Sequence, residues 1–208
     1  SSLKGQPMIS KLVASCFLLL LVGLMALPVS AQDPSEDEVN MPPPPPNVDG
    51  PTTVKVGLYI FQITSINQVN EEFSIDGFMD WQWLDERLTF DAEEFGNDRE
   101  VFVNEEVEQM LKRNAIWWPE LEITNERGSR DIEERAVSIF TDGRVYYTEQ
   151  FNTTIQADFD LREFPFDNQE FHIRIESFIY DSTVIQLEPD TETIGFGDNL
   201  GEEEWELR

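Results

Sequence analysis

The chain has 208 residues, with 42 acidic side chains against 14 basic ones and a formal net charge of −28. So negative a surface excludes nucleic acid as a partner, because phosphate binding takes a cationic face. With 40 % apolar residues, 15 Phe and 5 Trp, it is too rich in large side chains for an acidic disordered protein, and a packed core is expected.

Lys11 precedes an apolar run from Leu12 to Leu27, and Pro28-Val29-Ser30-Ala31 follows before the sequence turns acidic. A positive start, a short apolar stretch and a small-x-small site predict export, with residues 1–31 an N-terminal extension and signal peptide cleaved after Ala31. The run of about 16 residues is shorter than the roughly 20 of a spanning helix. Cleavage removes Cys16, the only cysteine, which excludes a disulfide scaffold, a thiolate metal site and a cysteine nucleophile. The one histidine, His172, leaves zinc constellations and a Ser-His-Asp triad poorly supplied. Residues 32–51 read as an acidic, proline-rich linker, whose run Pro42 to Pro46 favours extended polyproline II.

From Thr52 to about Ile66, β-branched and aromatic residues with alternating Val54, Val56, Leu58 and Ile60 predict a first strand. Asn67 to Glu72 is a polar turn. The next strand, Phe73 to about Trp83, sets Phe73, Ile75, Met79, Trp81 and Trp83 on one face, and Ser74, Asp76, Asp80 and Gln82 on the other. Phe78 falls on that polar face between two aspartates. Two explanations stand for it: a layer covering the face, or an aromatic set in a binding or subunit interface.

The stretch from Phe90 to Ile116 has helical character, with Asn104 as cap for Glu105 to Arg113. Pro119 then starts an extended segment that runs to Asn125. Asp142-Gly143, flanked by apolar alternation on both sides, predicts a hairpin of type I′. Further strands are expected at Phe171 to Phe178 and Thr183 to Leu187. Seven or more short strands with one short helix give an all-β fold, an antiparallel β-sandwich.

Residues 160–169, Asp-Leu-Arg-Glu-Phe-Pro-Phe-Asp-Asn-Gln, closely resemble the signature loop of the pentameric ligand-gated ion channels, the Cys-loop receptor superfamily. Three more segments match in order: Trp83-Leu84-Asp85, Trp117-Trp118-Pro119-Glu120 and Glu204-Trp205-Glu206-Leu207. The positions where animal receptors place the loop's disulfide are Ala157 and Phe171, so the chain resembles the prokaryotic members, which lack it. The resemblance covers residues 52–208. It implies the immunoglobulin-like extracellular sandwich of these receptors, truncated before loop C, the last strand and the transmembrane domain.

The resemblance also implies a homopentamer of identical subunits, with agonist bound between neighbours. By position the ligand-binding residues are then Phe78, Thr124, Ser138, Tyr146, Thr148, Phe178 and Tyr180. Thr124 stands where animal receptors carry a tyrosine, which departs from a full aromatic cage for an ammonium ligand. Coupling to the pore falls to Asn70 and Glu71 in the first turn and to Phe164, Pro165, Phe166 and Asp167. Glu71 occupies a position implicated in proton sensing by the bacterial members.

The expected ligand is a small molecule, a proton or a divalent cation. No cofactor is expected beyond modulation by Ca2+ at Glu188, Asp190, Asp198 and Glu202, weighed against an acidic face that merely aids solubility. The location implied is the periplasmic or extracellular side of a plasma (inner) membrane. A secreted ligand-binding relative without a pore is the alternative. An enzyme stands last, because no facing pair of carboxylates is nominated by the spacing.

Overall fold

A computed structural model describes residues 41–160, 162 and 169–197. The segments expected to matter at residues 1–31, at Phe164 to Asp167 and at Glu204 to Leu207 lie outside them. Among the described residues, nine strands run in the order β1 (Thr52–Asn67), β2 (Glu72–Leu84), β3 (Arg99–Val103), β4 (Leu121–Ile123), β5 (Asp131–Phe140), β6 (Arg144–Gln156), β7 (Ile175–Ser177), β8 (Ile185–Pro189) and β9 (Gly195–Phe196). Two α-helices, α1 (Ala92–Phe95) and α2 (Glu105–Lys112), and a 3-10 turn at Glu86–Leu88 interrupt them.

The large sheet is ordered β3-β5-β6-β2-β1-β8, with β9 also on β1, and β4 and β7 form a separate two-stranded ribbon. Every pairing from β3 to β1 is antiparallel. The edge differs from expectation, since β8 and β9 both lie parallel to β1. Alternation along a strand carries no information on the direction of its partner, so this was not legible in the sequence.

One face of the sheet carries the core. Phe73, Ile75, Met79, Trp81 and Trp83 of β2 are buried with Val145, Tyr147, Phe151 and Ile155 of β6, against Trp117, Leu121, Ile123 and the Val107 and Met110 of α2. The motif tryptophans pack on one another: Trp83 lies 5.9 Å from Trp117 and 5.5 Å from Trp118, and Trp81 lies 4.8 Å from Tyr147. Burying each such ring stabilises the fold by roughly 1.5–3 kcal/mol. In β1 the alternation slips at Phe61, where a bulge between Ile60 and Gln62 carries Ile63 to the core side.

Several elements depart from the sequence expectation. The hairpin at Asp142-Gly143 has a positive φ at Gly143 alone (82°), with the Gly143 N–H donating to the Phe140 carbonyl at 2.9 Å. It is therefore a three-residue loop with its last residue left-handed, not type I′. Asn104 precedes α2 but its side chain does not cap; its Oδ1 accepts from the Arg135 N–H at 3.0 Å. Residues 99–103, expected within the helical stretch, form the edge strand β3, and no side chain there is fully buried. The strand expected at Phe171 to Phe178 shortens to Ile175–Ser177. The Asn125 side chain takes the next ladder position, its Oδ1 accepting from the Arg174 N–H. The end of the proline-rich linker is tied down, since the Pro44 carbonyl accepts from Arg87 and the Thr52 hydroxyl oxygen accepts from the Asn47 N–H.

Candidate functional site

The solvent side of the large sheet brings four of the predicted residues into one patch. Ser138 pairs with Tyr146 across β5–β6, Thr148 pairs with Asp80 and Gln150 with Phe78 across β6–β2, and Tyr59 flanks Phe78 on β1. Phe78 is 39 % exposed, and its ring lies 5.4 Å from Phe61. The polar-face aromatic is thus neither covered nor isolated, and the bulge at Phe61 supplies its neighbour.

Beside it the face is roofed. The turn after β8 folds over Gly57, where the Asp190 N–H donates to the Val56 carbonyl and the Gly197 N–H to Ile60, each at 2.8 Å. A Cβ at Gly57 would collide with the Thr193 side chain. Beneath this roof Asp80 is 8 % exposed. Burial first, then the charge of Asp80 and that of Asp190, push the Tyr146 phenol above its ordinary range. Sequence reading missed Asp80 as a partner of Tyr146, because its place on the alternating face read as solvent. The glycine directly across from it in β1 was the available signal.

Thr124, Phe178 and Tyr180 lie on the small ribbon. The Phe178 N–H donates to the Glu120 carbonyl at 2.7 Å, and the Thr124 N–H to the Arg174 carbonyl at 2.8 Å. Those bonds sit at opposite ends of β4, about 13 Å apart at the usual strand rise, so the structure does not bring Thr124 beside Phe178. Phe178 is 73 % exposed, while Tyr180 is half-buried 5.6 Å from Trp117. The Ser177 hydroxyl, donating to the Pro119 carbonyl at 2.6 Å, fixes the ribbon end that presents Phe178.

Asn70 and Glu71 sit at the exposed β1–β2 turn, which the Asn67 side chain closes by accepting from the Val69 and Asn70 N–H groups, both at 3.1 Å. Glu71 has a positive φ of 55°, and its carbonyl accepts from the Ala157 N–H at 2.9 Å. The first turn therefore touches the stem of the loop at 158–170. At that stem Phe171 stacks on Phe73 at 4.7 Å and meets Phe159 at 5.2 Å. Of the four proposed cation ligands, Glu188 and Asp190 are described. Asp190 is occupied in its own turn, accepting from the Glu192 N–H. Asp198 and Glu202 lie outside the described residues, among which no group of three metal-binding side chains gathers. His172 is exposed.

Residues 39–208 match the neurotransmitter-gated ion-channel ligand binding domain. The chain belongs to this family. Among relatives, the chain is 32 % identical over 165 residues to a proton-gated ion channel of Gloeobacter violaceus, covering 79 % of this chain and 44 % of that one. It is 25 % identical over 194 residues to pH-sensitive chloride channel 2 of Drosophila melanogaster, covering 89 % and 36 %. It is 23 % identical over 202 residues to the acetylcholine receptor subunit alpha-type acr-16 of Caenorhabditis elegans, covering 92 % and 39 %. The chain spans less than half the length of these curated relatives. It is a ligand-binding domain of the Cys-loop channel family and not an enzyme, with the all-β sandwich of that domain. No helix among the described residues is long and apolar enough to cross a membrane.

Proposed function

We propose that this ligand-binding domain is the extracellular, agonist-binding and gating-coupling part of a prokaryotic homopentameric channel subunit, exported by residues 1–31 and joined to them by the linker at 32–51. Agonist binds between subunits. The observation that carries this reading is the placement of two exposed aromatics, Phe78 on the large sheet and Phe178 at the ribbon end. Each belongs to a different surface of the chain and neither closes a cavity alone, so one copy's Phe178 needs a second copy's Phe78 to form an enclosed site.

Tyr180 holds the ribbon end through Trp117, while Ser138, Tyr146 and Thr148 line the face beside Phe78. Asn70 and Glu71, with Phe164 to Asp167, transmit binding to the pore. The proton-gated and pH-sensitive activities of two relatives, together with the acidic surface, favour protonation of carboxyl groups as a gating signal beside that agonist.

The test is electrophysiology on the full-length subunit during steps of amine and of pH, with subunit count by native mass spectrometry. Phe78→Ala and Phe178→Ala should each shift half-activation about tenfold or more in ligand concentration while leaving the pentamer intact. Unshifted curves for both would remove the aromatics from the site.

A further inference from the structure

Among the apolar side chains of the inner sheet face stands one carboxylate. Glu149 lies on β6 between Tyr147 and Phe151 and is 1 % exposed. Its Oε2 accepts from the Tyr147 hydroxyl at 2.6 Å. Its Oε1 lies 3.2 Å from the Arg130 Nε, close enough to pair charges but without the alignment of a hydrogen bond. The other charged groups that bear on it are Arg135, its cross-strand partner on β5, and Glu126, which follows β4.

Arg130 has given up most of its water: its side chain is 14 % exposed, with Nε and Nη1 buried and unbonded, and its guanidinium lies 5.9 Å over the Phe151 ring. An arginine keeps its charge throughout the physiological range. Such a cation is tolerable in an apolar layer only while an anion faces it.

Arg130 ends the connection between β4 and β5, residues 124–130, and the rest of that connection is lashed to the sheet. The Arg127 N–H donates to the Thr154 carbonyl and the Gln156 N–H to the Asn125 carbonyl, both at 2.8 Å, and the Thr153 hydroxyl donates to Glu126. The Arg127 guanidinium then reaches the β1–β2 turn, with Nη2 donating to the Asn70 carbonyl at 3.3 Å and Nε 3.6 Å from the Glu72 carboxylate. A single segment thus joins a buried ion pair to the turn at the tip of the first hairpin.

We propose that residues 124–130 form a proton-released strap: charged Glu149 holds the Arg130 end against β6, and its protonation frees that end and loosens the brace that Arg127 sets on the β1–β2 turn. Protonation leaves Arg130 a buried cation without a counter-charge, and its guanidinium gains by moving to water. Burial pushes the Glu149 carboxyl above the ordinary glutamate range and Glu126 adds to the rise, against the pull of Arg130, Tyr147 and Arg135. A carboxyl raised in this way binds its proton more tightly folded than unfolded. Acidification therefore favours the folded state through this group, and opens the strap without melting the sandwich. For its part in gating the strap rests on the channel reading above. As a property of the folded domain it does not, and the test reads the domain alone.

The experiment is amide hydrogen exchange by mass spectrometry on the chain, at neutral pH and near about pH 5, corrected for the intrinsic pH dependence of exchange. Peptides covering 124–130 and 68–72 should exchange about tenfold faster at the acid pH, while β2 and β6 stay protected. Glu149→Gln should exchange fast in the strap at both pH values, and Glu71→Gln should keep the wild-type response. Arg130→Gln, which removes the anchor from the other side, should match Glu149→Gln and carries the test should that variant not fold. Equal strap protection at both pH values in the wild-type chain overturns the proposal. A pH response retained in Glu149→Gln or in Arg130→Gln does so as well.

Discussion

The Gln169 side chain exchanges two hydrogen bonds with the backbone of Asp160, its Oε1 accepting from the N–H and its Nε2 donating to the carbonyl, each at 2.9 Å. That clasp ties Asp160 to Gln169, and the stacking of Phe171 on Phe73 holds the same stem to the core.

The first prediction concerns this clasp. Gln169→Ala should lower stability by about 1 kcal/mol, the net worth of a typical exposed pair of such bonds. Urea denaturation of wild type and variant measures it. A reducing agent should leave both midpoints unchanged, since the sole cysteine lies at position 16.

Gly143 permits no side chain. Its φ is 82°, and a Cβ would stand 2.5 Å from the Asp85 carbonyl oxygen, the same residue whose N–H donates to the Gly143 carbonyl at 2.9 Å. Gly143→Ala should therefore cost at least about 2 kcal/mol, from left-handed backbone strain and from parting the hairpin from Asp85. The drop in thermal midpoint by circular dichroism is the readout.

The roof over Asp80 depends on Gly57 in a different way. Gly57→Ala should displace the turn at 190–194 through Thr193, with a cost of about 1–3 kcal/mol. The Tyr146 hydroxyl should then titrate nearer the ordinary tyrosine range, followed by ultraviolet absorbance of the phenolate. An unmoved titration would show that the roof is not what shelters it.

Two tyrosines give the alkaline limb of stability its sign. Tyr146 and Tyr147 are both raised above the ordinary range, chiefly by burial and then by Asp80 and Glu149 respectively. A raised pKa means that the folded chain keeps protons the unfolded chain releases. The contribution is complete below the unfolded value of about 10 and is lost as pH climbs toward the folded value. Stability should fall from about pH 10 upward, and Tyr146→Phe should flatten that fall. Urea midpoints between about pH 8 and 11 would show it.

Most of the sandwich was legible because its strands alternate. β1 and β2 begin and end within a residue or so of expectation, and Phe78, which stood out on the polar face, is 39 % exposed. β3 was not legible: Arg99-Glu100-Val101-Phe102-Val103 buries no side chain fully, so its alternation answers to no core and resembles the acidic stretch around it. β8 begins two residues late because Asp181 draws Thr183 into a turn, accepting from both its N–H and its hydroxyl. At the candidate site, single residues were readable but their partners were not. Tyr146 was named without Asp80, and Glu149 went unremarked among apolar neighbours, because what surrounds a side chain across two sheets is not written in the spacing of either.

The parallel edge has a consequence for how this chain is made. β1 has β2 as its partner on one side at once, but on the other it waits for Ile185 to Phe196, and Thr52 pairs with Ile185 only after the intervening chain exists. At ribosomal speeds of roughly 5–20 residues per second that delay is on the order of ten seconds. Throughout it, the bare N–H and carbonyl groups of β1 offer a template to any neighbouring nascent strand. The late segment is in this sense the domain's own chaperone, and a transcript broken off before Ile185 would yield a polypeptide that sticks to its siblings.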